Sequence, residues 1–109
     1  MKDMDKNKIL DMLSVSKIGQ KALNKISNYN PNLIANLSKQ AYDLYLIRKN
    51  ICEEIFPIIT TPEITFGKVE EYITNKINET QILLEKTNSV EDKELLKLKI
   101  EELKDLLSS

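Results

Sequence analysis

Apolar residues recur along most of this chain at steps of three and four, the spacing that lines one face of an α-helix. Ile9, Leu10, Met12 and Leu13 form a short first segment, and Ile18, Ala22, Leu23 and Ile26 form a second behind Ser16, which is placed to act as its N-cap. Asn30-Pro31 then supplies a cap followed by a proline in the first turn, and Leu33, Leu37, Ala41, Leu44, Arg48, Ile51 and Ile55 carry one stripe up to Pro57. The spacing predicts a third helix of about 25 residues. Ile34, Tyr45, Leu46, Ile47, Cys52 and Phe56 lie beside or across from that stripe, so the apolar surface extends around much of the helix and a central position is expected.

Residues 58–61 are β-branched (Ile58, Ile59, Thr60, Thr61) but sit between Pro57 and Pro62 with no second strand to pair with, so an ordered connector is expected there. A fourth helix follows from about Pro62, with Phe66, Val69, Ile73, Ile77, Thr80 and Leu84 along a narrow seam of the kind used in helical hairpins and coiled coils. Glu70, Glu71, Asn75, Asn78 and Glu85 mark its solvated side. Thr87-Asn88-Ser89 interrupts the pattern, and Ser89 with Asp92 resembles a capping box in which Asp replaces the usual Glu or Gln. The fifth helix places Leu96, Ile100, Leu103 and Leu107 on its seam, and Leu95, Leu98 and Leu106 widen the apolar arc to about half the circumference. One hairpin partner cannot cover that arc, so the surplus must pack on the third helix or on another chain.

The expectation is therefore an all-α fold: a four- to five-helix bundle with a long central helix and a C-terminal antiparallel helical hairpin. It forms one domain over 1–109, with the first helices and the long helix in 1–56 and the hairpin in 62–108. With only 2 Gly and 3 Pro in 109 residues, the chain is poor in the turn formers that a β fold of this size needs. Its first eight residues lack the apolar run of a signal peptide and no stretch is long and apolar enough to span a bilayer, so a cytoplasmic location and no membrane partner are expected.

Candidate chemistry is sparse. The absence of histidine removes the usual general base near neutral pH, His-dependent triads and His-carboxylate metal sites. Gly19 and Gly67 are too far apart to build a phosphate-binding loop. Glu53-Glu54, Glu70-Glu71 and Glu101-Glu102 read as solvated faces, and Cys52 has no base beside it and reads as a buried structural thiol. No catalytic residue, metal site, cofactor or small-molecule substrate is expected. Arg48 stands out as the one arginine beside fifteen lysines, inside an apolar stripe. It can anchor an interface or pair with a buried carboxylate, or its stem can cover apolar surface while the head reaches water. The tyrosines at 29, 42, 45 and 72 could stack on bases or anchor an interface, but Tyr45 and Tyr72 border apolar faces and read as residues at the edge of the core.

Charge adds one organised feature. Residues 1–50 hold nine Lys or Arg against four Asp, and residues 51–109 hold seven Lys against thirteen acids, so a net charge of −1 hides a basic and an acidic half. Lys17, Lys21 and Lys25 fall on one face of the second segment and could touch phosphates together with Lys39, or could be a solvated face. The stretch Leu37 to Tyr42 loosely resembles the turn into a DNA-recognition helix, but it lacks a glycine and the helix starts earlier, at Pro31. Two functions lead at this level, with an unfamiliar enzyme a distant third. The first is a non-enzymatic adaptor, assembly factor or inhibitor that binds a protein partner or itself through Arg48, Leu95, Leu98 and Leu106. The second is a DNA-binding or DNA-packaging accessory of a phage or plasmid that uses the basic half.

Overall fold

The computed structural model describes residues 15–28, 30–55 and 62–108, with side chains for all of these except 15–17 and 62–65. Among the described residues there are four helices: α1 (Val15–Lys25), α2 (Pro31–Asn50), α3 (Pro62–Lys86) and α4 (Val90–Ser108). No strand occurs among the described residues. The segment around Ile9 to Leu13, the connector at 58–61, Tyr29 and Phe56 lie outside the described residues. α1 is helical from Val15, so Ser16 lies inside the helix and does not cap it.

The start of α2 follows the local chemistry. Asn30 has extended backbone angles (φ −79°, ψ 165°), and its Oδ1 accepts from the Leu33 amide at 2.8 Å, with Pro31 at the first helical position. The helix runs 20 residues and then widens into a five-residue π turn, Ile51–Ile55, so helical backbone reaches the region of Pro57 as the apolar stripe predicts.

Leu33, Leu44, Ile47 and Ile51 are buried along α2, while Ile34 and Tyr45 remain exposed. The helix enclosed on most sides is α4. It packs against α1, α2 and α3, and it buries Leu95, Leu96, Leu98, Ile100, Leu103 and Leu106. Its arc of about 200°, at 100° per residue, is thus covered by three helices of the same chain. Contacts set their directions. Asn36 meets Asp92 and Asp43 meets Lys99, so α2 and α4 run parallel. Lys21 meets Asp105 while Lys25 meets Glu101, so α1 runs antiparallel to α4. The short connection 87–89 makes α3 and α4 an antiparallel hairpin, with Val69, Ile73, Ile77 and Thr80 buried on the predicted seam and Glu70, Glu71, Asn75, Asn78 and Glu85 exposed.

Half of the expected capping box at Ser89 forms. The Asp92 amide donates to Ser89 Oγ at 3.4 Å, but the Asp92 carboxylate accepts from Asn36 Nδ2 at 3.0 Å and is committed to α2. No helix among the described residues is long and apolar enough to cross a membrane.

Candidate functional site

α2 and α3 lean on α4 from two sides and barely touch each other above it. They close at one end, where Asn50 Nδ2 donates to Tyr72 Oη at 2.9 Å and the π turn packs on α3. Away from that end they leave an open groove of about 300 Å³, with Lys39, Tyr42, Asp43 and Leu46 on the α2 wall, Glu79, Thr80 and Leu83 on the α3 wall, and Gln40 and Lys99 below.

The floor is a chain of polar contacts. Asn36 donates to Asp92, Gln40 Nε2 donates to Asn36 Oδ1 at 3.0 Å, and Lys99 Nζ donates to Gln40 Oε1 at 2.7 Å and pairs with Asp43. Gln40 and Lys99 are buried, and their hydrogen bonds supply what burial of an amide and an ammonium requires. Positions 36, 40 and 43 share one face of α2, and 92 and 99 share one face of α4, which is why five polar side chains meet in one line. Thr80 on the α3 wall returns its hydroxyl to the Lys76 carbonyl at 2.8 Å.

The rim is apolar and exposed. Tyr42 and Tyr45 are stacked, with ring centroids 6.0 Å apart at 27°, and Tyr42 lines the opening on the α2 side with Leu83 on the α3 side. Tyr45 therefore sits outside the core edge expected for it, because no helix among the described residues covers the side of α2 that carries it. Tyr72 is half-buried, with Lys76 Nζ 5.7 Å from its ring centroid.

The residues singled out by the sequence scatter. Leu95, Leu98 and Leu106, expected at an interface with another chain, are 0%, 2% and 0% exposed inside the monomer, because α1, α2 and α3 take up the arc they form. Arg48 is half-buried, and its Nε is buried with no hydrogen-bond partner among the described residues. The Lys17 side chain lies outside the described set. Lys21 forms an ion pair with Glu102 Oε1 at 2.8 Å and approaches Asp105 at 3.9 Å, and Lys25 approaches Glu101 at 3.8 Å. The basic strip thus rests against acidic residues of α4. The Glu102 hydrogen bond outweighs the partial burial of Lys21 and, with the Glu102, Asp105 and Glu101 charges, raises its pKa above the ordinary 10.5. Glu102 is accordingly buried, not part of a solvated face as its neighbour Glu101 is. Of the three candidate lysines with described side chains, Lys39 lines the groove, where it is exposed, and Lys21 and Lys25 do not.

Cys52 is half-buried and free. Among the described residues, no three Cys, Asp or Glu side chains gather as a metal ion requires. Sequence reading missed the groove and its floor, although the register of Asn36, Gln40 and Asp43 beside an apolar stripe was a usable signal. No family model matches the chain, and neither a known protein nor a solved structure matches it.

Proposed function

We propose that this chain is a non-enzymatic interaction protein that works as an adaptor, assembly factor or inhibitor by seating a protein partner in the groove between α2 and α3. The observation that carries the reading is the placement of exposed apolar surface. Of the seven large hydrophobic side chains left exposed among the described residues, five lie on the two helices that flank the opening, and two of these, Tyr42 at 61% and Leu83 at 42%, line the groove itself, with Tyr45 stacked on Tyr42 and Ile82 beside Leu83 in sequence. Scattered apolar residues are ordinary on a surface, but a cluster containing tyrosines, rimmed by Lys39 and Glu79, has the composition of a protein interface. The protein has no need of a cofactor in this role. Arg48, half-buried on α2, acts as a packing residue.

A nucleic-acid reading keeps one observation in its favour, the exposed Lys39 one turn from Tyr42, which stacks on Tyr45, since basic and aromatic side chains together suit single strands. It makes the chain a DNA-binding or packaging accessory of a phage or plasmid. Against it stand the ion pairs of Lys21 and Lys25 and the net charge of −1, which give a weak field.

A photo-crosslinking side chain placed at position 83, with position 104 on the exposed side of α4 as control, tests the reading in the native cell. Protein adducts at 83 that are missing at 104 are expected. Nucleic-acid adducts at 83, or none, overturn it.

A further inference from the structure

The two walls of the groove differ in a way that a second copy of the same molecule can use. The α2 wall presents Lys39 with Tyr42, and the α3 wall presents Glu79 with Leu83. With Asp43 held by Lys99, the charge that each wall offers to a partner is Lys39 on the α2 wall and Glu79 on the α3 wall, so neither wall complements itself. Each complements the other, in charge and in the pairing of aromatic with aliphatic side chains.

We infer that the groove is covered by a second copy of this chain, related by a two-fold axis that runs along the groove, so that the two openings face each other and the α2 wall of each molecule rests on the α3 wall of the other. A rotation about that axis exchanges left and right while keeping the position along the groove, and Lys39 and Glu79 line the same opening on opposite sides. Two symmetry-equivalent Lys39 to Glu79 pairs then form at once, as an isologous interface requires. Lys39 makes no ion pair with any described residue. Glu79 rests on Lys76 at 3.3 Å with its side chain 66% exposed, a solvated pair on one helix that is weak and easily exchanged for a better one. The acidic and basic rims also disfavour a strongly charged partner of either sign, because one wall always repels it. This inference rests on the groove being a protein-docking surface and names the protein.

Solution mass at high micromolar concentration reads the association, with circular dichroism as the control for folding. The wild type is expected at two chains. Lys39→Glu alone and Glu79→Lys alone should each run as one chain while keeping the wild-type helical spectrum, because both positions are exposed. Mixing these two variants should restore a two-chain mass, since each position 39 then faces a position 79 of opposite charge across the interface, and the double variant should self-associate again. A wild type of one chain overturns the inference, as do single variants that stay paired or a mixture of folded variants that stays monomeric. If the wild type is monomeric while position 83 still crosslinks a foreign protein, the docking surface stands and the second copy is excluded. If position 83 captures no protein, the docking reading itself fails.

Discussion

Lys99 reaches back 59 positions along the chain to hold Gln40, its Nζ donating to Gln40 Oε1 at 2.7 Å beneath the groove and pairing with Asp43 beside it. The contact fixes the register of α4 against α2 through groups that leave water on folding. Lys99→Ala should cost about 3 kcal/mol, toward the lower end for a severed buried pair because Asp43 keeps some access to water. Lys99→Met with Gln40→Leu should be less damaging than the two single changes together, by about 1 kcal/mol, since removing both partners leaves no orphaned amide. Urea titration of the four chains measures the coupling, and strict additivity would mean the contact adds nothing.

Leu106 is 0% exposed and belongs to the common core. Leu106→Ala should lower stability by about 2 to 5 kcal/mol, the range for a buried leucine replaced by a cavity. Leu106→Lys should abolish the cooperative thermal transition and not merely change the mass in solution. A well-folded Leu106→Lys chain would show that this face is not enclosed.

The caps at the starts of α2 and α4 should differ in strength. Asn30→Ala removes a 2.8 Å bond to the Leu33 amide and should cost about 1 kcal/mol. Ser89→Ala removes a 3.4 Å bond from the Asp92 amide and a 3.1 Å bond to Glu91 Oε2, and should still cost less, because Ser89 accepts poorly and the Glu91 carboxylate keeps Asn28 as a partner. Equal losses in chemical denaturation would contradict this ordering.

Stability should fall at both ends of the pH scale for identifiable reasons. The Lys21 pKa is raised, foremost by its hydrogen bond to Glu102, so its contribution is complete below the ordinary 10.5 and is lost as pH rises through the higher folded value. The Glu91 pKa is lowered by its own backbone amide, then by Asn28 and Ser89, so its contribution is complete above the ordinary 4.5 and is lost as pH falls through the lower folded value. In melting temperatures taken across pH, Glu91→Gln should flatten the acid arm. Lys21→Met should flatten the alkaline arm while lowering stability at neutral pH, because Glu102 is left buried without its cation. Unchanged arms in these variants would assign the pH dependence to other groups.

Much of the fold is legible in the sequence because periodicity reports burial directly. Val69, Ile73 and Ile77 fall on one seam, Asn30-Pro31 marks a helix start, and the break at 87–89 marks a hairpin. The site is less legible because polar residues read as solvent-facing by default. Lys99 between Leu98 and Ile100 looks like a solvated interruption, and Lys21 like one of three equal lysines. Their partners, Gln40 and Glu102, lie 59 and 81 positions away, a pairing that no local pattern encodes. The breadth of the leucine arc is visible in the sequence, which allows it to pack within the chain or outside it. The close approach of α1 to α4, secured by Lys21 and Glu102, decides for the first.

The helix that the other three embrace is also the one that follows them in the chain. A ribosome makes α1, α2 and α3 before any of α4 exists, and at cellular rates the 19 residues of α4 take roughly 1 to 4 s to add. Until then the buried faces of the first three helices have no common axis to gather on, and no shorter nascent intermediate can complete the core. Cooperative folding is thereby deferred to the end of α4 synthesis, and a ribosome that stalls near Lys86 leaves a polypeptide with open apolar seams, a substrate for chaperones and proteases.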